Sequence, residues 1–456
     1  MNNNQNRLIK GLNLFDTTLL VIGAVLGSGI FLTTGDIALS LPSQGWILLV
    51  WLIGGLVILT GALSFGELGA SLPHAGGQYI YLKESYGSLA GFLYGWAFFL
   101  VIQCGGAAAL AVGFAEYLGY FIPSLSPQNY LFHISILGLD YRLSSGQIIA
   151  VLAIVILTII NYYGLKSGSL VQNIFTTLKI GAIVLIVILG FSIGKGGNLS
   201  LENFFSTAGF ELNWLKALGV ALIAVYWTYD GWYSVNCTAS EIKNVRRNLP
   251  LSLILGTFSL ILIYLAVNLV YLHALPVDKI AGVRRIAEEA SQALFGSWGA
   301  ILISAIIMVS IFGCLSATIL YGPRVFYAMA KDKLFFKKLA HVHPKYHTPA
   351  FAILAQGVWA SILCLSGTYR ELYEYVVFAV ILFFFFTGIS VYILRWKRPE
   401  LERPYKTWGY PVTPLIFIVI NGWLFINTLQ QQPLQSILGL TIILIGLPAY
   451  FFWKGK

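Results

Sequence analysis

The sequence predicts an all-α membrane protein of twelve transmembrane helices, the first and sixth of them interrupted. Three observations carry that prediction. Of 456 residues, 58% are hydrophobic and only 10% are charged, and the mean hydropathy is +0.79, far from a soluble domain. Twelve apolar stretches follow one another, most of them near the ~20 residues that one crossing needs. Two stretches carry glycines or polar residues at mid-span, where irregular backbone persists only if protein or a water-filled cavity surrounds it.

In chain order the stretches run about 16–39, 45–70, 87–119, 146–164, 170–194, 216–239, 250–274, 297–330, 349–367, 372–395, 410–429 and 435–453. The third and eighth are the longest and should be strongly tilted. Nothing separates off a soluble domain, so 1–456 reads as one polytopic transmembrane unit. The Asn-rich, basic start and the long first stretch do not make a cleavable signal peptide. The breaks in segments one and six, and the extra length of segments three and eight, both repeat with a period of five. That period suggests inverted repeats at approximately 16–194 and 216–395, with 410–453 added, because a repeat of five spans must invert in the membrane.

Orientation follows from the basic residues. With both termini in the cytoplasm, 20 of the 28 Lys and Arg fall on the inner side and seven on the outer side, leaving Lys179 inside a span. This asymmetry is the positive-inside pattern of a multi-pass protein of the cell (inner) membrane. It accounts for the net charge of +10 without a nucleic-acid partner.

The first break lies in Val21-Ile22-Gly23-Ala24-Val25-Leu26-Gly27-Ser28-Gly29-Ile30-Phe31. Gly27 and Gly29 permit unwound backbone. Unwinding exposes amide N–H groups at the start of the following half-helix, which favours an anion such as a carboxylate. Ser28 adds a hydroxyl donor. A packing face of small residues is the alternative reading. The second break, Val225-Tyr226-Trp227-Thr228-Tyr229-Asp230-Gly231-Trp232, places freed carbonyls near an acid. A mid-membrane carboxylate costs ~2.5–3.5 kcal/mol and needs a partner, a proton or water. Asp230 therefore binds a substrate amine, caps the next half-helix or holds the loop. Trp227, one turn earlier on the same face, is either a gate or a packing residue. Lys179 lies about 15 Å into segment five at 1.5 Å per residue, too deep to snorkel readily. It should hydrogen-bond to backbone carbonyls or neutralise a carboxylate, either as a purely structural lysine or as a tethered ammonium in a place comparable to that of the bridging metal ion in sodium-coupled broken-helix transporters.

Cys104, Cys237, Cys314 and Cys364 lie in or beside apolar stretches without a CxxC pair, and read as small core residues. Glu67 and Glu116 sit near span ends, where interface positions are expected. No His, Cys, Asp or Glu spacing in the membrane core suits a metal, and no cofactor is expected. Asn198-Leu199-Ser200 and Asn236-Cys237-Thr238 match the glycosylation sequon, the second of them inside a span.

Further motifs join the breaks: Glu67-Leu68-Gly69 with Pro73-His74-Ala75-Gly76-Gly77-Gln78-Tyr79, Ile174 to Lys179, Gly322-Pro323-Arg324 with Ala328 to Asp332, and Arg403 to Pro411. Together, over nearly the whole length, they resemble the L-amino-acid transporters of the amino acid–polyamine–organocation superfamily in a bacterial form. The resemblance implies a LeuT-type inverted-repeat fold, alternating access and sodium-independent exchange. It implies that the substrate carboxylate meets Ser28, Gly29 and Ile30, that the amine meets carbonyls of Val25, Trp227 and Asp230, and that Gly27 and Gly231 shape the two breaks. It also implies a gate at Trp227, and Lys179 standing in for sodium to tie span one to span eight near Ser316. Stretch 120–145 lacks the cysteine by which animal members pair with a glycoprotein, so no disulfide-linked partner is expected. The acid at Asp230 occurs in a broad-specificity type that also takes dibasic substrates.

The leading expectation is thus a sodium-independent amino acid exchanger. The alternatives are a proton-coupled amino acid symporter and a cationic amino acid or polyamine carrier. A membrane-embedded enzyme needs clustered catalytic groups, and a channel needs a ring or filter; neither pattern is evident in the sequence.

Overall fold

A computed structural model describes residues 10–136, 139–163, 165–200, 204–205, 214–366, 369–431 and 433–454. Arg7 and Lys456, and the side chains of Lys166 and Arg370, all used in the charge count, lie outside the described residues. Ten helices are long and apolar enough to cross a membrane by length and composition. Two shorter apolar helices, Trp214–Tyr229 and Ala350–Cys364, stand where the sixth and ninth segments were expected. The sixth is short because its helix stops at the break.

Local chemistry explains the starts. Asn13 accepts from the Asp16 N–H at 2.9 Å while Asp16 accepts from the Asn13 N–H at 3.0 Å, a capping box that opens helix Leu14–Val25. Ser144 and Gln147 repeat the device before Ser145–Tyr162. The third span is continuous over Ser88–Phe121, but contains a π-helical turn at Phe98–Gln103, which the sequence did not announce. The extra length of the eighth segment is a separate short helix, Pro323–Lys331, set off from Ser297–Tyr321 at Gly322. Between the third and fourth segments, Tyr130–Ile136 and Leu139–Ser144 pair as an antiparallel hairpin, a small departure from an all-helical chain.

The seventh-segment helix Val245–Ala274 packs along Gln44–Ser71. Leu14–Val25 is enclosed by Val245–Ala274, Leu165–Ser192 and Ser297–Tyr321. The first and third spans are the most enclosed, with 78% and 83% of their apolar windows buried, against 33% and 28% for the last two. The core is therefore built around the first break, and the final pair of helices lies at its margin. All four cysteines are buried and free.

Candidate functional site

Both breaks exist. Helix Leu14–Val25 ends before Leu26, and a new short helix starts at Gly29. The first backbone bond after the break runs from the Phe31 N–H to the Ser28 carbonyl at 3.1 Å, which leaves the Ser28, Gly29 and Ile30 amides in the unpaired positions of a helix start. Helix Trp214–Tyr229 stops at Asp230, and Ser234–Cys237 resumes after it. The breaks touch. A Cβ on Gly29 would lie 2.8 Å from the Thr228 Cα, and one on Gly231, whose φ is +95°, would lie 2.8 Å from the Ala24 carbonyl oxygen. Only glycine permits both contacts.

A narrow cavity, about 30 Å³ open to the centre of a water-sized sphere, lies between them. Val25, Gly27, Ser28, Gly29, Trp227, Asp230 and Gly231 all line it, joined by Gln103, Cys314, Thr318 and Tyr321. Ile30 does not line it; its carbonyl accepts from the Tyr271 hydroxyl at 3.3 Å. The Oδ1 of Asp230 is buried and has no hydrogen-bond partner among the described residues.

Lys179 is 2% exposed. Its ammonium donates to the carbonyls of Gly23 at 2.8 Å and Leu26 at 2.7 Å, on either side of the last helical turn before the break. The Leu26 carbonyl also accepts from the Ser310 hydroxyl at 3.2 Å, and the Ala24 carbonyl from the Cys314 thiol at 2.9 Å. The eighth-segment hydroxyl bonded to span one is thus Ser310, not Ser316. Six residues turn a helix by about 600° at 3.6 residues per turn, so the two serines point in different directions. The Val25 carbonyl serves the Gly27 N–H at 2.6 Å and the Tyr264 hydroxyl at 3.2 Å. The Trp227 carbonyl accepts from the Asp230 N–H at 3.1 Å.

Two tyrosines that sequence reasoning missed complete the site. The Tyr264 hydroxyl donates to the Thr228 carbonyl at 2.9 Å as well as to Val25, stitching the two breaks together. On the face opposite the N-terminus, the Trp227 indole N–H donates to the Tyr369 hydroxyl at 2.8 Å, which lies 2.9 Å from the Ser28 hydroxyl. Tyr373 stacks on Trp227 with centroids 5.6 Å apart.

The face that carries the N-terminus is closed by charge. Arg324 and Glu241 form an ion pair at 3.2 Å, both side chains 0% exposed. The N–H groups of Gly11 and Leu12 donate to the Glu241 carbonyl, and the Lys243 N–H donates to the Leu12 carbonyl. Asp332 accepts from Lys83 at 2.7 Å and from Tyr79 at 2.6 Å; burial and that carboxylate push the Tyr79 phenol far above its ordinary pKa. Glu67, near the end of helix Gln44–Ser71, is buried inside the protein. It is 3% exposed, and it is held by Arg395 at 2.8 and 2.6 Å and by the Thr407 N–H at 2.7 Å.

The amino acid permease family matches residues 12–448. The serine/threonine exchanger SteT of Bacillus subtilis is 33% identical over 100% of this chain and 99% of its own length. The large neutral amino acids transporter small subunit 2 of Mus musculus is 28% identical over 98% of this chain and 82% of its own. The b(0,+)-type amino acid transporter 1 of Homo sapiens is 28% identical over 98% and 88% respectively. A broken-helix cavity in a multi-pass membrane chain, matched from end to end, makes this protein a member of the amino acid permease family.

Proposed function

We propose that this protein is a sodium-independent exchanger of L-amino acids working by alternating access. One observation carries the reading: the two breaks meet over a cavity with complementary ends. The Ser28 to Ile30 amides and the Ser28 hydroxyl suit a carboxylate. Asp230 Oδ1 suits an ammonium, beside the Ala24 carbonyl, which accepts from the Cys314 thiol. The Val25 and Trp227 carbonyls already have donors, which shifts the amine contact toward Asp230 and Ala24. Lys179 supplies a fixed cation at the first break, and the relative SteT is named as an exchanger. Lining by Gln103, Cys314 and Thr318 favours small polar side chains, in keeping with that relative's serine and threonine.

A dibasic substrate is the second reading, favoured by the unpartnered Asp230 Oδ1. The repeats at approximately 16–194 and 216–395 are supported by packing between the second and seventh segments and between the third and eighth, pairs that the proposed symmetry makes equivalent. The basic-residue asymmetry places both termini in the cytoplasm of a cell whose inner membrane holds the protein. No disulfide-linked glycoprotein partner is needed.

Purified protein in liposomes tests the reading. Labelled L-serine is expected to enter only when unlabelled amino acid is inside. Uptake indifferent to internal amino acid and driven by a proton gradient would replace exchange with symport. Competition by arginine, lysine and putrescine would establish the cationic reading.

A further inference from the structure

We propose that Tyr369 is the positioning residue of the gate opposite the N-terminal face: its hydroxyl latches Trp227 to Ser28, and an incoming amino acid must break that latch. The proposal rests on the reading of the first break as the carboxylate site. The latch is a continuous chain, indole N–H to phenol at 2.8 Å and phenol to serine hydroxyl at 2.9 Å. It joins the sixth segment to the first through the opening turn of helix Tyr369–Lys397. An indole N–H donates only, so the Tyr369 oxygen accepts from Trp227, and a single proton is shared along the remaining contact with Ser28.

The neighbouring helix leaves room for the contact. A Cβ on Gly113 would lie 3.1 Å from the Ser28 Cβ and 3.3 Å from the Tyr369 Cε2, tight enough to push the partners apart. Tyr369 is absent from the cavity lining while Ser28 and Trp227 belong to it. The phenol therefore sits just beyond the cavity, across the route from that face. Tyr373, one turn along the same helix, covers Trp227 by stacking, and its hydroxyl donates to Asp36 at 3.4 Å.

A latch that holds the site closed lowers the population able to receive substrate, and apparent affinity falls by that fraction. Removing the hydroxyl while keeping the ring should therefore tighten binding, which the loss of a merely structural hydroxyl would not do. The test is equilibrium binding of labelled L-serine to purified wild-type, Tyr369→Phe and Tyr163→Phe proteins, the last altered at an exposed tyrosine outside the cavity lining, with melting temperatures confirming that each is folded. Tyr369→Phe is expected to bind about fivefold more tightly, the factor one ordinary hydrogen bond is worth, and Tyr163→Phe to match the wild type. Unchanged or weaker binding by Tyr369→Phe, or the same gain in Tyr163→Phe, would overturn the latch. Absence of L-serine binding in all three proteins would overturn the L-serine reading, and the latch as a barrier to that substrate with it.

Discussion

The two ends of the central cavity are closed by opposite kinds of chemistry. Toward the N-terminal face the closure is ionic and fully buried: Arg324 with Glu241, reinforced by backbone bonds from Gly11 and Leu12. Toward the other face it is aromatic: Trp227, Tyr369 and Tyr373, joined to Ser28 by hydroxyl contacts. The difference bears on how each end opens. Separating a buried ion pair strands a charge in a low-dielectric interior. Separating stacked rings and hydroxyl bonds gives up less, and in the proposed reading a zwitterionic amino acid offers replacement partners at Ser28. In this conformation the aromatic end is the one whose contacts a substrate can take over.

The contrast can be broken most severely at the ionic end. Arg324→Ala leaves Glu241 buried without its partner and should cost about 3–5 kcal/mol, seen as a large fall in melting temperature in detergent. A melting temperature equal to wild type would mean that the ion pair does not hold that face closed. Lys179→Ala comes next. It removes two charged hydrogen bonds, each worth about 1.5–3 kcal/mol, so uptake into liposomes should fall by more than about tenfold while membrane insertion, assayed by fractionation, persists. Full uptake would remove the argument that a fixed cation stands in for sodium. Ser28→Ala should raise KM by about fivefold through loss of one hydroxyl bond, with little change in melting temperature; an unchanged KM would point to amide contacts alone. A smaller loss than at Arg324 is expected at Tyr373→Phe, about 1.5 kcal/mol in stability, because the hydroxyl contact with Asp36 goes while stacking on Trp227 survives. A loss as large as that of Arg324→Ala would erase the distinction between the two ends.

How much of this was legible in the sequence depends on the residue type. Gly27-Ser28-Gly29, Asp230-Gly231 and Lys179 stand out because a polar or helix-breaking residue inside an apolar stretch needs a reason. The structure places each of them at the breaks. Tyr264 and Tyr369 carried no such signal among 25 tyrosines. The Ser28 partner lies 341 positions away in the chain, so its role exists only once the helices are packed. Gln103 was marked only by its place within a long apolar span, and the π-helical turn that ends with it has no sequence signature here. Ser316 was named from the resemblance alone, and spacing along the eighth segment does not reveal which face meets span one. The ion pairs of Glu67 were not legible because its partners, Arg395 and Arg403, arrive from the far end of the chain.

The central claim is that the two breaks grip the backbone of an amino acid, its carboxylate at Ser28 and its ammonium near Asp230. The most direct test is competition against labelled L-serine by unlabelled L-serine, its methyl ester and its N-acetyl derivative, using purified protein. The account predicts that L-serine competes while both blocked compounds lose most of their affinity. If the methyl ester or the N-acetyl derivative competed as well as L-serine itself, the assignment of the breaks to the substrate's charged ends would be wrong.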